Sequence, residues 1–260
     1  MPPDLFLRLE YLGGLYAGSQ AQKNGITIQE LLDKALSRIC GGAKIRTVFA
    51  GRTDSGVHSC GQAVTASLPA VMPAAKIQTA LNSLLPPDIR VSAVSREAPV
   101  LGARYAAKSR EYLYNIYCGE KPPLYLQHCV WHWPRTLDFA LMRRAARLFR
   151  GEHDFSAFCA AGSAAVNKIR RVSVSDLSRH KIADWPGSGR RAAGELWTYR
   201  IKADGFLYRM ARNIVAALVA VGSGRLTLQE LRRIQLGNDR RCLAAPTAPA
   251  QGLTLYGVQY

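Results

Sequence analysis

Residues 50–58, AGRTDSGVH, set the carboxylate of Asp54 two positions after the guanidinium of Arg52, with Gly51 and Gly56 on either side. A carboxylate kept ionised by an adjacent cation can serve as a nucleophile or as a base. The same residue types also make an ordinary Asx turn or a surface ion pair. Two features tilt the balance towards chemistry. The loop follows an apolar run, Thr47-Val48-Phe49-Ala50, and precedes an expected strand, so a rigid frame can hold it. Further on, Arg110-Glu111-Tyr112-Leu113-Tyr114 interleaves aromatic rings with charge, as a strand that stacks bases would.

Competing chemistries find less support. The chain has no G-x-x-x-x-G-K-[ST], no G-x-G-x-x-G and no H-E-x-x-H, which removes the usual signs of a phosphate loop, a dinucleotide fold or a zinc protease. Cys118, His128, Cys129 and His132 cluster without the spacing of a structural zinc site and read better as buried side chains. Ser55 and His58 lack a third group that would orient them as nucleophile and base.

These groups need a frame, and the periodicities supply one. Leu5, Leu7, Leu9 and Tyr11 alternate with polar neighbours as a half-buried strand. Thr27-Ile28-Gln29-Glu30 is a capping box opening a helix with Ile28, Leu31, Leu32, Ala35 and Ile39 on one face. Strands are expected near 44–50, 62–68 and 89–95, and a helix over 74–85 that Pro86-Pro87 stops. Beyond these come a strand over 109–117, an Arg-studded helix over 137–150, and a strand over 194–204. A mostly apolar helix over 207–221 follows, then a second capping box at Thr227–Glu230 with Gly237 to end its helix, and a final strand over 253–260. Stretches 160–166 and 182–195 read as loops. Two αβ halves of similar grammar, 1–103 and 104–260, predict a pseudo-duplicated α+β fold with largely antiparallel sheet.

Composition bounds the partner. The chain has 260 residues, 48% of them apolar, which suits a globular protein with a sizeable core. Its 35 Lys and Arg against 18 Asp and Glu give a formal charge of +17, and 26 of the cations are Arg. Arginine's planar fork suits phosphates and stacks on bases, so nucleic acid is the favoured polyanion. The six cysteines are scattered without a C-x-x-C pair, and read as reduced thiols. MPPDLFLRLE is unlike a signal peptide, and the longest apolar run, 214–221, is too short to span a bilayer. The expectation is a cytoplasmic protein that does not enter membranes.

AGRTDSGVHSCGQ closely resembles the central motif of the tRNA pseudouridine synthase A family, A-G-R-T-D-A-G-V-H-x-x-G-Q. Four further blocks are similar to that family in the same order: RYAAKSREYLYNIY (104–117), GEHDFSAF (151–158), GFLYRMARNIVAALVAVG (205–222) and APTAPAQGLTLYGVQY (245–260). The resemblance implies the pseudouridine synthase fold, with two α/β subdomains joined into one extended mixed sheet and an active-site cleft between them. The first would carry the aspartate loop, the second the tyrosine, the pairing arginine and the last strand. It implies that Asp54 is the catalytic aspartate and Arg212 the arginine paired with it. Arg52 would help extrude the target nucleotide, Tyr112 stack on its base, and Leu253 line the base pocket. Arg110, Arg143, Arg144, Arg147 and Arg209 are weaker candidates for RNA contact. The implied activity is isomerisation of uridine to pseudouridine in the anticodon stem-loop of tRNA, at positions 38, 39 and 40. It would be carried out by a homodimer, without metal or organic cofactor.

The chemistry suits one carboxylate: the N1–C1′ bond breaks and C5 takes its place, and no water is consumed, so the second carboxylate of an inverting glycosidase is unnecessary. Attack on C1′ and abstraction of a sugar proton both remain open at this point. A non-catalytic tRNA-binding or tRNA-folding protein on the same scaffold, or a base-excising glycosidase, are the competing readings. The chain departs from the family pattern Y-D-G-x-x-Y-x-G-W-Q in its first strand, with Leu12 in place of the acid and Ser19 in place of Trp. Tyr208 and Arg209 stand where two histidines are frequent.

Overall fold

In the computed structural model, residues 4–69, 72–99, 101–182, 194–237 and 245–260 are described. Cys242 and most of the expected loop 182–195 lie outside them. The chain forms two compact units, one of Met1–Arg110 with Thr254–Tyr260 and the other of Glu111–Leu253.

In the first unit the alternation of Leu5, Leu7 and Leu9 makes strand β1 (Leu5–Tyr11), with those leucines fully buried. Helix α1 (Ile28–Ile39) starts at Thr27, whose side chain accepts the Glu30 amide, and buries Ile28, Leu32 and Leu36. Strand β2 is only Val48–Phe49, shorter than the apolar run suggests. Strand β3 (His58–Ala66) begins four residues before its expected start, because its first buried residues, His58 and Ser59, are polar and hide the pattern. Helix α2 (Ala74–Leu84), strand β4 (Ile89–Ser95) and the single turn α3 (Gly102–Tyr105) follow. β1 lies between β3 and β4, antiparallel to both, with Leu7 opposite Val64 and Val94. α1 and α2 contribute Leu32, Leu36, Ile77 and Leu81 to the core beneath.

The second unit is entered along β5 (Ser109–Cys118), beside which the short β6 (Trp131–Trp133) runs parallel. Helix α4 (Phe139–Arg147) is capped by Asp138, which accepts the Leu141 amide at 2.9 Å. Strands β7 (Gly151–Asp154), β8 (Ile169–Lys181) and β9 (Glu195–Ala203) pair antiparallel in that order, and β9 adjoins β5. β8 is the long strand that periodicity does not reveal. A register shift between Val172 and Val174 breaks its alternation, and four of its last five residues are polar. Helix α5 (Met210–Gly222) has every residue buried but Arg212, and α6 (Leu228–Gly237) opens on the second capping box. There Thr227 accepts the Glu230 amide at 3.2 Å, and Glu230 accepts the Thr227 amide at 2.8 Å. α5 starts three residues later than expected, since Arg209 has a left-handed φ of 57°.

The last strand, β10 (Leu253–Gln259), returns to the first unit, where Thr254 and Leu255 pair in parallel with His58 and Ser59 of β3. The fold is thus α+β with mixed sheet, mostly antiparallel.

Candidate active site

The loop after β2 is fixed through its backbone. Ala50 donates its amide to Ala63 O at 2.8 Å. The side-chain amide of Gln62 brackets Gly51, giving a hydrogen bond to its carbonyl at 2.8 Å and taking one from its N–H at 3.3 Å. Thr53 is held on three sides. Its N–H donates to Ser19 Oγ at 2.8 Å, its carbonyl accepts the Ser19 N–H at 3.1 Å, and its hydroxyl meets Tyr11 OH at 2.9 Å. Burial pushes the Tyr11 phenol up, so it remains a neutral hydrogen-bonding group. Gly56 closes the turn with φ 82°, and Val57 donates to Asp54 O at 3.1 Å. Ser55 Oγ donates to Tyr16 O, and His58 Nδ1 accepts the Gly13 amide, so both have structural work of their own.

On this frame Asp54 is half-buried and Arg52 exposed. Backbone bonding at 50, 51, 53 and 54 leaves the aspartate little freedom of position, which is what a group acting on a bound atom requires. Arg110 of the same unit engages backbone carbonyls. Its guanidinium donates to Ala50 O at 2.8 Å, to Arg104 O at 2.8 Å and to Ala107 O at 3.1 Å. The structure thus gives Arg110, a weaker candidate for RNA contact, the part of fastening the start of the Asp54 loop.

The second unit holds Tyr112, Arg212 and Leu253. The Tyr112 ring is 6% exposed and meets Phe206 edge-on at 4.8 Å. Arg212 leaves the first turn of α5 and its Nε donates to Ala248 O at 2.7 Å. The next residue, Asn213, donates to Phe158 O at 2.7 Å and accepts the Thr247 hydroxyl at 2.8 Å. Tyr114 OH donates to Pro249 O at 2.8 Å, and its phenol is pushed far up by burial, against the opposing pull of the Arg212 charge. Residues 247–249, just before Leu253, are therefore tied down by α5 and β5 together. Leu253 itself is buried. Asn213 does not stand out in the sequence, since it opens an apolar run and its partners lie far along the chain.

Arg143, Arg144 and Arg147 are exposed on α4, and Arg143 pairs with Asp176 at 3.3 Å. Arg209 lies over the Tyr208 ring at 5.0 Å. His132 bonds to Gly119 O, and burial pushes the Cys118 and Cys129 thiols up, Cys118 to about 12. Among the described residues no group of three His, Cys, Asp or Glu is placed to hold a metal ion, and no helix is long and apolar enough to cross a membrane.

A family model described as tRNA pseudouridine synthase matches residues 9–105 and 145–260. The chain belongs to this family. Among relatives in the tRNA pseudouridine synthase family, the tRNA pseudouridine synthase A of Moorella thermoacetica is 39% identical over 260 residues, covering 99% of this chain and 100% of the relative. That of Shouchella clausii is 37% identical over 253 residues, covering 97% and 92%. That of Chloroflexus aurantiacus is 38% identical over 254 residues, covering 98% and 87%. A solved H/ACA ribonucleoprotein bound to a substrate RNA aligns with 97% of this chain and 59% of its own, at TM-score 0.37 and 10% identity, a likeness too loose to carry argument. The matched segments take in the synthase motif around Asp54 and the α5 segment with Arg212, but the model's gap, 106–144, contains Tyr112.

Proposed function

We propose that this tRNA pseudouridine synthase isomerises uridines 38, 39 and 40 in the anticodon stem-loop of tRNA, with Asp54 as the reacting carboxylate. Family membership supports the reaction, and the backbone-locked loop that presents Asp54 within the family's motif carries the assignment of the residue. In the reaction the N1–C1′ bond breaks, the uracil turns, and C5 bonds to C1′. The proton on C5 leaves and N1 gains one, so the change is a net isomerisation. Asp54 acts on the ribose carbon or on a sugar proton, with Arg212 as the second catalytic residue. A stem uridine lies in its stack and has to be flipped out at a cost of a few kcal/mol. Exposed Arg52 fills the vacated space, Tyr112 stacks on the extruded base, and Leu253 gives the pocket an apolar wall. Arg143, Arg144, Arg147 and Arg209 meet phosphates, with Arg110 in a lesser part. The enzyme works in the cytoplasm as a homodimer, without metal or organic cofactor.

Mapping pseudouridine in total tRNA from cells with and without the gene tests this. The expected result is loss of the modification at positions 38–40 alone; an unchanged anticodon stem-loop would refute the proposed target.

A further inference from the structure

We propose that Ser19 is a positioning residue for Asp54, and that its hydroxyl sets the loop geometry on which turnover depends. The inference rests on the reading of Asp54 as the reacting carboxylate. Ser19 is fully buried, and it grips residue 53 from both ends of its backbone: the Oγ accepts the Thr53 N–H at 2.8 Å and the Ser19 N–H donates to Thr53 O at 3.1 Å. Asp54 is the next residue. Such a two-point grip fixes the position and the tilt of the peptide that leads into the carboxylate.

The grip is anchored to a rigid element. The amides of Ile28 and Gln29, at the start of α1, donate to the carbonyls of Gly18 at 3.3 Å and Ser19 at 2.9 Å. The Gln29 side chain accepts the Ala21 amide at 2.9 Å and donates to Thr47 O at 2.7 Å, which joins this segment to the chain entering β2. Close approach is possible because residue 18 is glycine. Its φ is +104°, and a Cβ there would stand 2.7 Å from Thr53 O. The Ser19 hydroxyl is the acceptor that satisfies the Thr53 N–H. Without that acceptor a buried N–H loses its partner, and the loop must shift to reach water.

The test compares Ser19→Ala and Ser19→Cys with the parent enzyme on a tRNA transcript, alongside Asp54→Asn. It reads kcat, KM, the thermal midpoint, and hydrogen exchange at the Thr53 amide in the free protein. Ser19→Ala is expected to lower kcat about tenfold or more with KM within about twofold, since small misplacement of a reacting group costs rate rather than binding. Thr53 exchange is expected to accelerate about tenfold at an otherwise native exchange pattern. Ser19→Cys keeps the size with a weaker acceptor and should fall between; if Ser19→Ala fails to fold, it supplies the same readouts. A folded Ser19→Ala enzyme with parental kcat, or with unchanged Thr53 exchange, would overturn the proposal. A fall in kcat matched by a general loosening of exchange across the unit would also overturn it. An Asp54→Asn protein that turns over normally would instead refute the reading of Asp54, and the catalytic consequence of Ser19 with it.

Discussion

Asp54 and Tyr112 place different demands on their surroundings. In the proposed mechanism the aspartate has to be held in one place, and hydrogen bonds at Gly51, Thr53 and its own carbonyl fix the backbone that carries it. The tyrosine, as the proposed stacking platform, has to present a ring, and Phe206 meets that ring edge-on at 4.8 Å, which fixes its plane. Stacking of a base on an aromatic ring is worth about 1–3 kcal/mol. Tyr112→Ala should therefore lower kcat/KM for tRNA by roughly 5- to 150-fold while the fold is retained. Steady-state kinetics with a circular dichroism control checks it. Loss of kcat/KM below threefold would remove the ring from the proposed machinery.

At the scale of elements, the segment 245–252 depends on how β5 and α5 receive it. Gly252 packs against the Tyr114 ring so closely that a Cβ would lie 2.6 Å from its nearest ring atom. Tyr114 in turn is bonded to Pro249 O, so the ring cannot swing aside without releasing that carbonyl. Gly252→Ala should cost about 1–3 kcal/mol of stability, as overpacking does, and reduce activity through Leu253 beside it. Urea denaturation and turnover measure the two effects. A substitution that leaves both unchanged would show that the contact is slack. Here lies the difference between what local pattern reveals and what it hides. The capped helices α1 and α6 and the alternating β1 were legible because their signals are local: a Thr-x-x-Glu box, or leucines at every second position. β8 was not, because its bulge and polar end destroy the period. The parallel pairing of β10 with β3 joins residues almost two hundred apart and leaves no local mark. The same holds at the site. Asp54 announced itself by motif, whereas Ser19 and Tyr114 act through contacts with backbone far along the chain. The GEHDFSAF block illustrates the converse, since much of it is structural. Asp154 accepts the Ser156 amide at 2.7 Å, and Phe155 and Phe158 are core rings.

Across the whole molecule the buried phenols set the alkaline limit. Tyr11, Tyr16, Tyr114, Tyr199 and Tyr260 are all raised, in each case chiefly by burial. Burial pushes the Tyr260 phenol up to about 12, against 10.0 for a free phenol. The unfolded chain therefore gives up its protons first, and stability is full below pH 10 and falls as pH climbs through 12. Denaturant midpoints measured between pH 8 and 12 should show this decline, while Tyr260→Phe should soften it. In the proposed mechanism one carboxylate, Asp54, drives exchange of N1 for C5 at the ribose. Release of tritium from tRNA carrying [5-³H]uridine reads that exchange directly. The parent enzyme should release tritium in step with pseudouridine formation and without free uracil, and Asp54→Asn should release none above background. Release by Asp54→Asn at the parental rate would rule out Asp54 as the reacting carboxylate.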